Sequence, residues 1–286
     1  MQLSHVSIAT AGRLPMFADD APRRAALHIL AQRLPGQIVA FALVDDHLHL
    51  LLLGAAEALA RTLRDLAFAL APLVKQPLLP AHIKPVADDT HLRTTLRYLL
   101  EQPVHHNTGE LPALATGSCY AEIAGARAIP GLVLQLDAVL PREGTRPELE
   151  AVVGLPAGPL PQLSPVALRR LGANRMVLAA AFAAGASSME GRSEPTFAAR
   201  RAVAELARES GIALPEVAFA LDLTPDAVRR MEAKPADATL LAATRTRLAL
   251  EQAVAAASRS ALFKQLHDGV AQRRTGLGPS RLAARP

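Results

Sequence analysis

The sequence predicts an α+β fold: a ferredoxin-like antiparallel sheet with helices packed on one face, followed by an all-α C-terminal region. Three observations carry this reading. Residues 1–135 alternate short strand-like apolar runs with helix-length segments in the order β-α-β-β-α-β-α. The stretch from Pro141 to Pro165 then concentrates six prolines and three glycines in 25 residues, a density that neither a helix nor a central strand is expected to survive. Beyond it only helices are convincing.

Leu3 to Ala9 alternates with a period of two, as a half-buried strand does. Asp19–Asp20 followed by Pro22 supplies a helix start for a segment running to about Leu34. Gln37 to Val44 and His47 to Leu53 are apolar runs separated by the turn Asp45–Asp46, which is hairpin spacing. A helix from about Ala55 to Leu70 follows, then a short strand around His82 to Val86. Asp88–Asp89–Thr90 caps a helix that ends before Pro103. In the second half, Thr196 to Glu209 reads as one helix. Leu214 to Leu221, a turn at Asp222–Leu223–Thr224 and Pro225 to Ala233 read as a helix-turn-helix, with Ala218 in the small-residue slot and Val228 and Met231 buried. A plain α-hairpin fits the same pattern. A last helix covers about 237–258. The predicted division is 1–135 as an α+β domain, 136–165 as a linker, 166–258 as a helical domain and 259–286 as a basic tail.

Composition narrows the class. The chain has 286 residues, 50% hydrophobic and 20% charged, which excludes a disordered or collagen-like protein. Aromatic residues are only 3%, with no Trp and 2 Tyr, so the core must be built mainly from Ala, Leu and Val. The lone Cys119 excludes a disulfide framework and a cysteine-based metal site, and fits a reducing compartment. The opening MQLSHVSIAT has no export pattern. The longest apolar runs, Met176 to Ala186 and Leu66 to Val74, are too short to cross a bilayer. The expectation is a soluble, cytoplasmic protein with no membrane partner. Residues 1–135 carry 11 Lys+Arg against 11 Asp+Glu, and 136–286 carry 20 against 15. The whole excess of positive charge therefore falls in the second half, where Arg229, Arg230, Arg273 and Arg274 are candidate contacts to a phosphate backbone.

His47-Leu48-His49 lies in the third predicted strand, where both imidazoles point to one face and make half of a metal site. Alone, the pair also fits two polar residues on a strand face. In LRTTLRYLLEQP, Tyr98 and Gln102 are four apart and share a helix face. The Gln102 carbonyl is a hard oxygen ligand suited to Mg²⁺ or Mn²⁺, and Tyr98 stands one turn away as a nucleophile.

These residues, FALVDDHLHLLL, then LRYLLEQPVHHN about fifty residues on, and the opening SHVSIATAGRLPMFADDAPRR, resemble the single-tyrosine HUH transposases, particularly the REP-associated tyrosine transposases. GSCYAEIAGARAIPGL is similar to the family's region after the tyrosine helix. The resemblance covers about residues 1–132. It implies an HUH-type fold, with His47 and His49 as the metal-binding pair, Gln102 as the third ligand and Tyr98 as the nucleophile. It also implies single-stranded or hairpin DNA as substrate and a 5′-phosphotyrosine intermediate. Gln102-Pro103 stands where the family commonly has Asn-Pro, and His105 and His106 replace the usual basic residues. Arg97, beside the tyrosine, is a further candidate DNA contact.

Two rivals are specific. Asp45-Asp46-His47-Leu48-His49 also fits the start of a metal-dependent amidohydrolase, whose eight-stranded barrel needs later histidine ligands, yet residues 107–266 hold no histidine. A non-catalytic DNA-binding regulator derived from a transposase would use the helix-turn-helix alone. The sequence leaves monomer and homodimer open.

Overall fold

The computed structural model describes residues 2–17, 19–106, 109–140, 142–155 and 158–258. The tail 259–286, with Arg273 and Arg274, lies outside the described residues. The first part runs β1 (Leu3–Ala9), α1 (Asp20–Arg33), β2 (Ile38–Leu43), β3 (His47–Leu53), α2 (Ala56–Leu70), β4 (His82–Pro85), α3 (Asp89–Leu100), α4 (Gln102–His105) and α5 (Tyr120–Ile123). β1 has the bounds that the alternation predicts, and β3 those of the predicted apolar run His47 to Leu53. α1 and α3 start where the acidic caps put them. Asp19 accepts from the Ala21 amide and Asp88 from the His91 amide, each satisfying a backbone donor that the first helical turn leaves free.

The strands form one antiparallel sheet in the order β2-β3-β1-β4. The amidohydrolase rival needs a closed parallel barrel, and among the described residues the sheet is open, antiparallel and four-stranded. The β1-α1-β2 and β3-α2-β4 crossovers each link parallel strands of the sheet. α1 packs on α2, and Leu27, Leu30, Leu59, Leu63 and Leu66 join Val6, Ile8, Leu48 and Leu50, from one face of the sheet, in one core. α3 does not follow them, contrary to the expectation of helices on a single face. It lies over the opposite face, where Tyr98 meets the rings of His5 and His49.

The outer edge of β2 is closed by residues 117–119. The Leu43 amide donates to the Gly117 carbonyl at 2.8 Å and the Cys119 amide to the Phe41 carbonyl at 3.3 Å. A Cβ at Gly117 would stand 2.0 Å from the Leu43 carbonyl oxygen, so only glycine lets this segment pair with the strand.

The proline-rich stretch is not free of regular structure. α6 (Arg142–Val152) forms with Pro147 inside it, and Leu149, Val153 and Leu155 are buried in the same core as the sheet. The burial of these apolar side chains offsets the backbone hydrogen bond that proline forfeits.

The remaining helices are α7 (Pro165–Ala184), α8 (Glu194–Ser210), α9 (Leu214–Leu221), α10 (Pro225–Glu232) and α11 (Ala238–Ser258). They enclose a second core rich in alanine. Asp222 takes the left-handed conformation (φ 52°) between α9 and α10, the turn expected there. Phe182 of α7 joins the two halves, with the Arg127 guanidinium 4.6 Å and that of Arg247 3.7 Å from its ring centre. No helix among the described residues is long and apolar enough to cross a membrane.

Candidate functional site: a histidine-rich centre beside Tyr98

The turn before β3 is fastened from several sides. The Thr10 amide donates to the Asp46 carbonyl at 3.2 Å and the Phe17 amide to the Asp45 carbonyl at 3.0 Å. Buried Arg23 of α1 pairs with Asp45, and Arg13 stands 3.6 Å from Asp46. Gly12 and Arg13 both take positive φ, 69° and 57°, which bends the chain so that Arg13 can reach that carboxylate.

From this turn β3 projects His47 and His49 to one face, each 6% exposed. In the β1–β3 register Ser7 faces His49 and His5 faces Leu51, so His5 is the diagonal neighbour of His49 on the same face. Nδ1 of His47 contacts the Asp46 carboxylate at 2.6 Å, Nδ1 of His49 contacts Nε2 of His5 at 3.1 Å, and the two Nε2 atoms lie 2.7 Å apart. With both Nδ1–H groups donating to those partners, two Nε2 lone pairs converge. Lone pairs at that distance repel unless a proton or a cation joins them. An ion with bonds of about 2.1 Å at right angles would hold its donors about 3.0 Å apart, a shift of a few tenths of an ångström.

The protonation states agree with ligation. Burial holds the imidazoles of His5, His47 and His49 below their ordinary range, and for His49, with positive charge on His47 and His5 adding, the value falls to about 3. Neutral imidazole is the form that binds a metal. Asp46 is lowered although its partial burial pushes the other way, because the hydrogen bond and charge of His47 and the charge of Arg13 outweigh it.

α3 places Tyr98 over these rings, with centroid distances of 5.3 Å to His49 and 6.3 Å to His5. Its side chain is 40% exposed, accessible to a large substrate. The other tyrosine, Tyr120, is 3% exposed. Pro103 has no amide to donate, which ends α3 and starts the short α4 at Gln102. Gln102 is fully buried, its amide nitrogen donates to the Tyr98 carbonyl at 3.1 Å, and its Oε1 has no hydrogen-bond partner among the described residues. A buried carbonyl oxygen without a partner costs about 1–3 kcal/mol, and coordination of a cation would satisfy it. Imidazole nitrogens and a carbonyl oxygen are donor types that a divalent metal takes.

The chain matches no protein-family model, no curated protein and no solved structure. The site rests on its own geometry.

Of the residues singled out in the sequence, His47, His49 and Tyr98 come together, with Gln102 hydrogen-bonded to the Tyr98 backbone. Arg97 pairs with Glu101 at 3.0 Å and lines a cleft of about 500 Å³ between α3 and α6. Arg229 and Arg230 are exposed on α10, whose main packing is with α8 and α9. Sequence reasoning gave no role to His5, to Asp46 as partner of His47, or to His106, whose ring lies 5.1 Å from that of His47. The parity of β1, which puts His5 on the same face as Ser7 and Ala9, is the signal that could have found the first.

Proposed function

We propose that the protein is a metal-dependent single-stranded DNA endonuclease and strand transferase, with Tyr98 as nucleophile and His47, His49 and Gln102 as ligands of Mg²⁺ or Mn²⁺. The observation that carries this reading is the accessible Tyr98 ring set against His49, whose Nε2 lies 2.7 Å from that of His47. The β-α-β-β-α-β order with strands 2-3-1-4 supports the ferredoxin-like arrangement of the HUH endonucleases that the sequence resembles.

In this reading residues 1–135 act on single-stranded or hairpin DNA. A divalent metal held by His47, His49 and Gln102 would supply a Lewis acid to offset charge on the scissile phosphate. Tyr98 Oη attacks phosphorus, the bond to the 3′ oxygen breaks, and that oxygen leaves as a hydroxyl after taking up a proton. The 5′ phosphate stays on Tyr98, and a second 3′-hydroxyl can reverse the step and join two strands. The carboxylate of Asp46 and the ring of His5 hold the two ligand imidazoles in register. Arg97, one residue before the nucleophile and exposed, can meet the backbone beside the scissile phosphate. Arg229 and Arg230, with Arg273 and Arg274 of the tail, would supply the grip on DNA remote from the cut.

The test is strand cleavage of a panel of end-labelled DNA hairpins in Mn²⁺. The wild-type protein should release the 5′-side fragment with a free 3′-hydroxyl and retain the 3′-side fragment through its 5′ phosphate, and Tyr98→Phe should do neither. Equal cleavage by Tyr98→Phe would refute the assignment. A second reading, a DNA-binding regulator, is favoured by the α9–α10 pair, which presents Arg229 and Arg230 to solvent. Hairpin binding that is lost in an Arg229→Ala/Arg230→Ala variant, without cleavage by the wild type, would support it.

A further inference from the structure

We propose that His106 is an additional ligand of this centre and that it makes the site select a transition-metal ion such as Mn²⁺ or Zn²⁺ over Mg²⁺. The inference deepens the reading above by naming the class of ion, and it rests on that reading only for the location of the metal.

His106 follows α4, two turns of chain beyond Tyr98. The backbone places it: its amide donates to the Gln102 carbonyl at 3.0 Å, so the residue that offers the orphan oxygen also fixes the start of the turn that carries His106. The ring is half-buried and inclined at 57° to that of His47, with the centroids 5.1 Å apart. One nitrogen of His106, one of His47 and a carboxylate oxygen of Asp46 all lie within 4.8 Å of one another. Two donors on opposite sides of an ion, each at about 2.1 Å, stand about 4.2 Å apart. A nitrogen of His106 thus stands within 4.8 Å of one on His47, close to the span of two donors on a single ion. His105, its neighbour in sequence, turns the other way, toward Tyr98 at 5.6 Å between centroids.

The chemistry of the donors decides the ion. His47, His49 and His106 give the centre three imidazoles and Gln102 offers one carbonyl oxygen, while the carboxylate of Asp46 is engaged with Nδ1 of His47. Mg²⁺ demands oxygen donors in near-ideal octahedral geometry and gives up its water reluctantly. Imidazole suits the later first-row ions, whose affinity for nitrogen sites rises along the series. A site with two imidazoles and an amide oxygen discriminates weakly between Mg²⁺ and Mn²⁺. A third imidazole shifts it toward nitrogen-loving ions.

Calorimetric titration of the full-length protein without DNA, with Mg²⁺, Mn²⁺ and Zn²⁺ in turn, tests this. Mn²⁺ and Zn²⁺ should bind at least tenfold more tightly than Mg²⁺. His106→Gln should weaken Mn²⁺ and Zn²⁺ by tenfold or more while changing Mg²⁺ by less than threefold, and His105→Gln should leave all three unchanged. Pulsed electron paramagnetic resonance on the Mn²⁺ form should count three coupled imidazole nitrogens in the wild type and two in His106→Gln, a readout that misfolding would not mimic. Equal affinity for Mg²⁺ and Mn²⁺, or the same nitrogen count in both proteins, would overturn the proposal. Failure of the Tyr98 chemistry would leave these metal measurements untouched, so the two readings fail separately.

Discussion

Replacing Gln102 by leucine should leave the metal-free protein as stable as the wild type or more stable, while abolishing its stabilisation by metal. Gln102 is fully buried, and its Oε1 lacks a hydrogen-bond partner among the described residues. Such an orphan acceptor costs about 1–3 kcal/mol. The same side chain makes one hydrogen bond, from its amide nitrogen to the Tyr98 carbonyl at 3.1 Å, worth about 0.5–1.5 kcal/mol. Leucine has nearly the same volume and removes both terms, so the expected change in EDTA runs from neutral to a gain of about 2 kcal/mol. Urea unfolding followed by circular dichroism measures it. With Mn²⁺ at a hundred times its dissociation constant the wild type should gain about 2.7 kcal/mol, and Gln102→Leu should gain little. A variant destabilised in EDTA by more than 1 kcal/mol, yet stabilised by Mn²⁺ as the wild type is, would refute the reasoning. Gln102 would then be an ordinary core residue.

Other substitutions test neighbouring steps. Asp46→Asn weakens the 2.6 Å contact that orients His47 and should reduce Mn²⁺ affinity about 10–100-fold, measured by calorimetry. Gly117→Ala should destabilise the protein by about 2–5 kcal/mol in urea unfolding, because its Cβ would meet the Leu43 carbonyl at 2.0 Å and force apart the two hydrogen bonds that close the β2 edge. A loss under 0.5 kcal/mol would show that the edge segment yields. The carboxyl of Glu122 is pushed up to about 7 by burial, against the pull of Arg127. Between its ordinary value of 4.5 and about 7 the folded chain therefore holds a proton that the unfolded chain has lost, and this group's contribution to stability falls as pH rises through that window. Glu122→Gln should remove that decline, so parallel stability–pH curves for the two proteins would contradict it.

Much of the fold could be read from the chain because local signals coincide with burial. β1 shows the alternation of Leu3 to Ala9 as alternating burial, and α3 begins at the cap that Asp88 supplies. α6 escaped notice because Pro147 and its flanking prolines and glycines read as breakers, whereas burial of Leu149 and Val153 settles the matter. α7 gave no helical stripe, since the run from Met176 to Ala184 is apolar throughout and buried at every position but Val177 and Leu178, packing on α8, α9 and α11. In the site, the pair His47 and His49 was legible from a period of two within one strand. His5 was not, because its approach to His49 depends on the register of two strands 44 residues apart in sequence. His106 depends on a turn that Pro103 sets after α3, which no periodicity encodes.

The central claim, that Tyr98 is the nucleophile of a DNA-joining centre, is tested most directly by locating the covalent bond. The full-length protein incubated with Mn²⁺ and single-stranded hairpin DNA, denatured, digested and analysed by mass spectrometry should yield a peptide containing Tyr98 that carries a 5′-phosphorylated nucleotide, and Tyr98→Phe should yield none. A nucleotide attached to any other residue, or an adduct that persists in Tyr98→Phe, would contradict it.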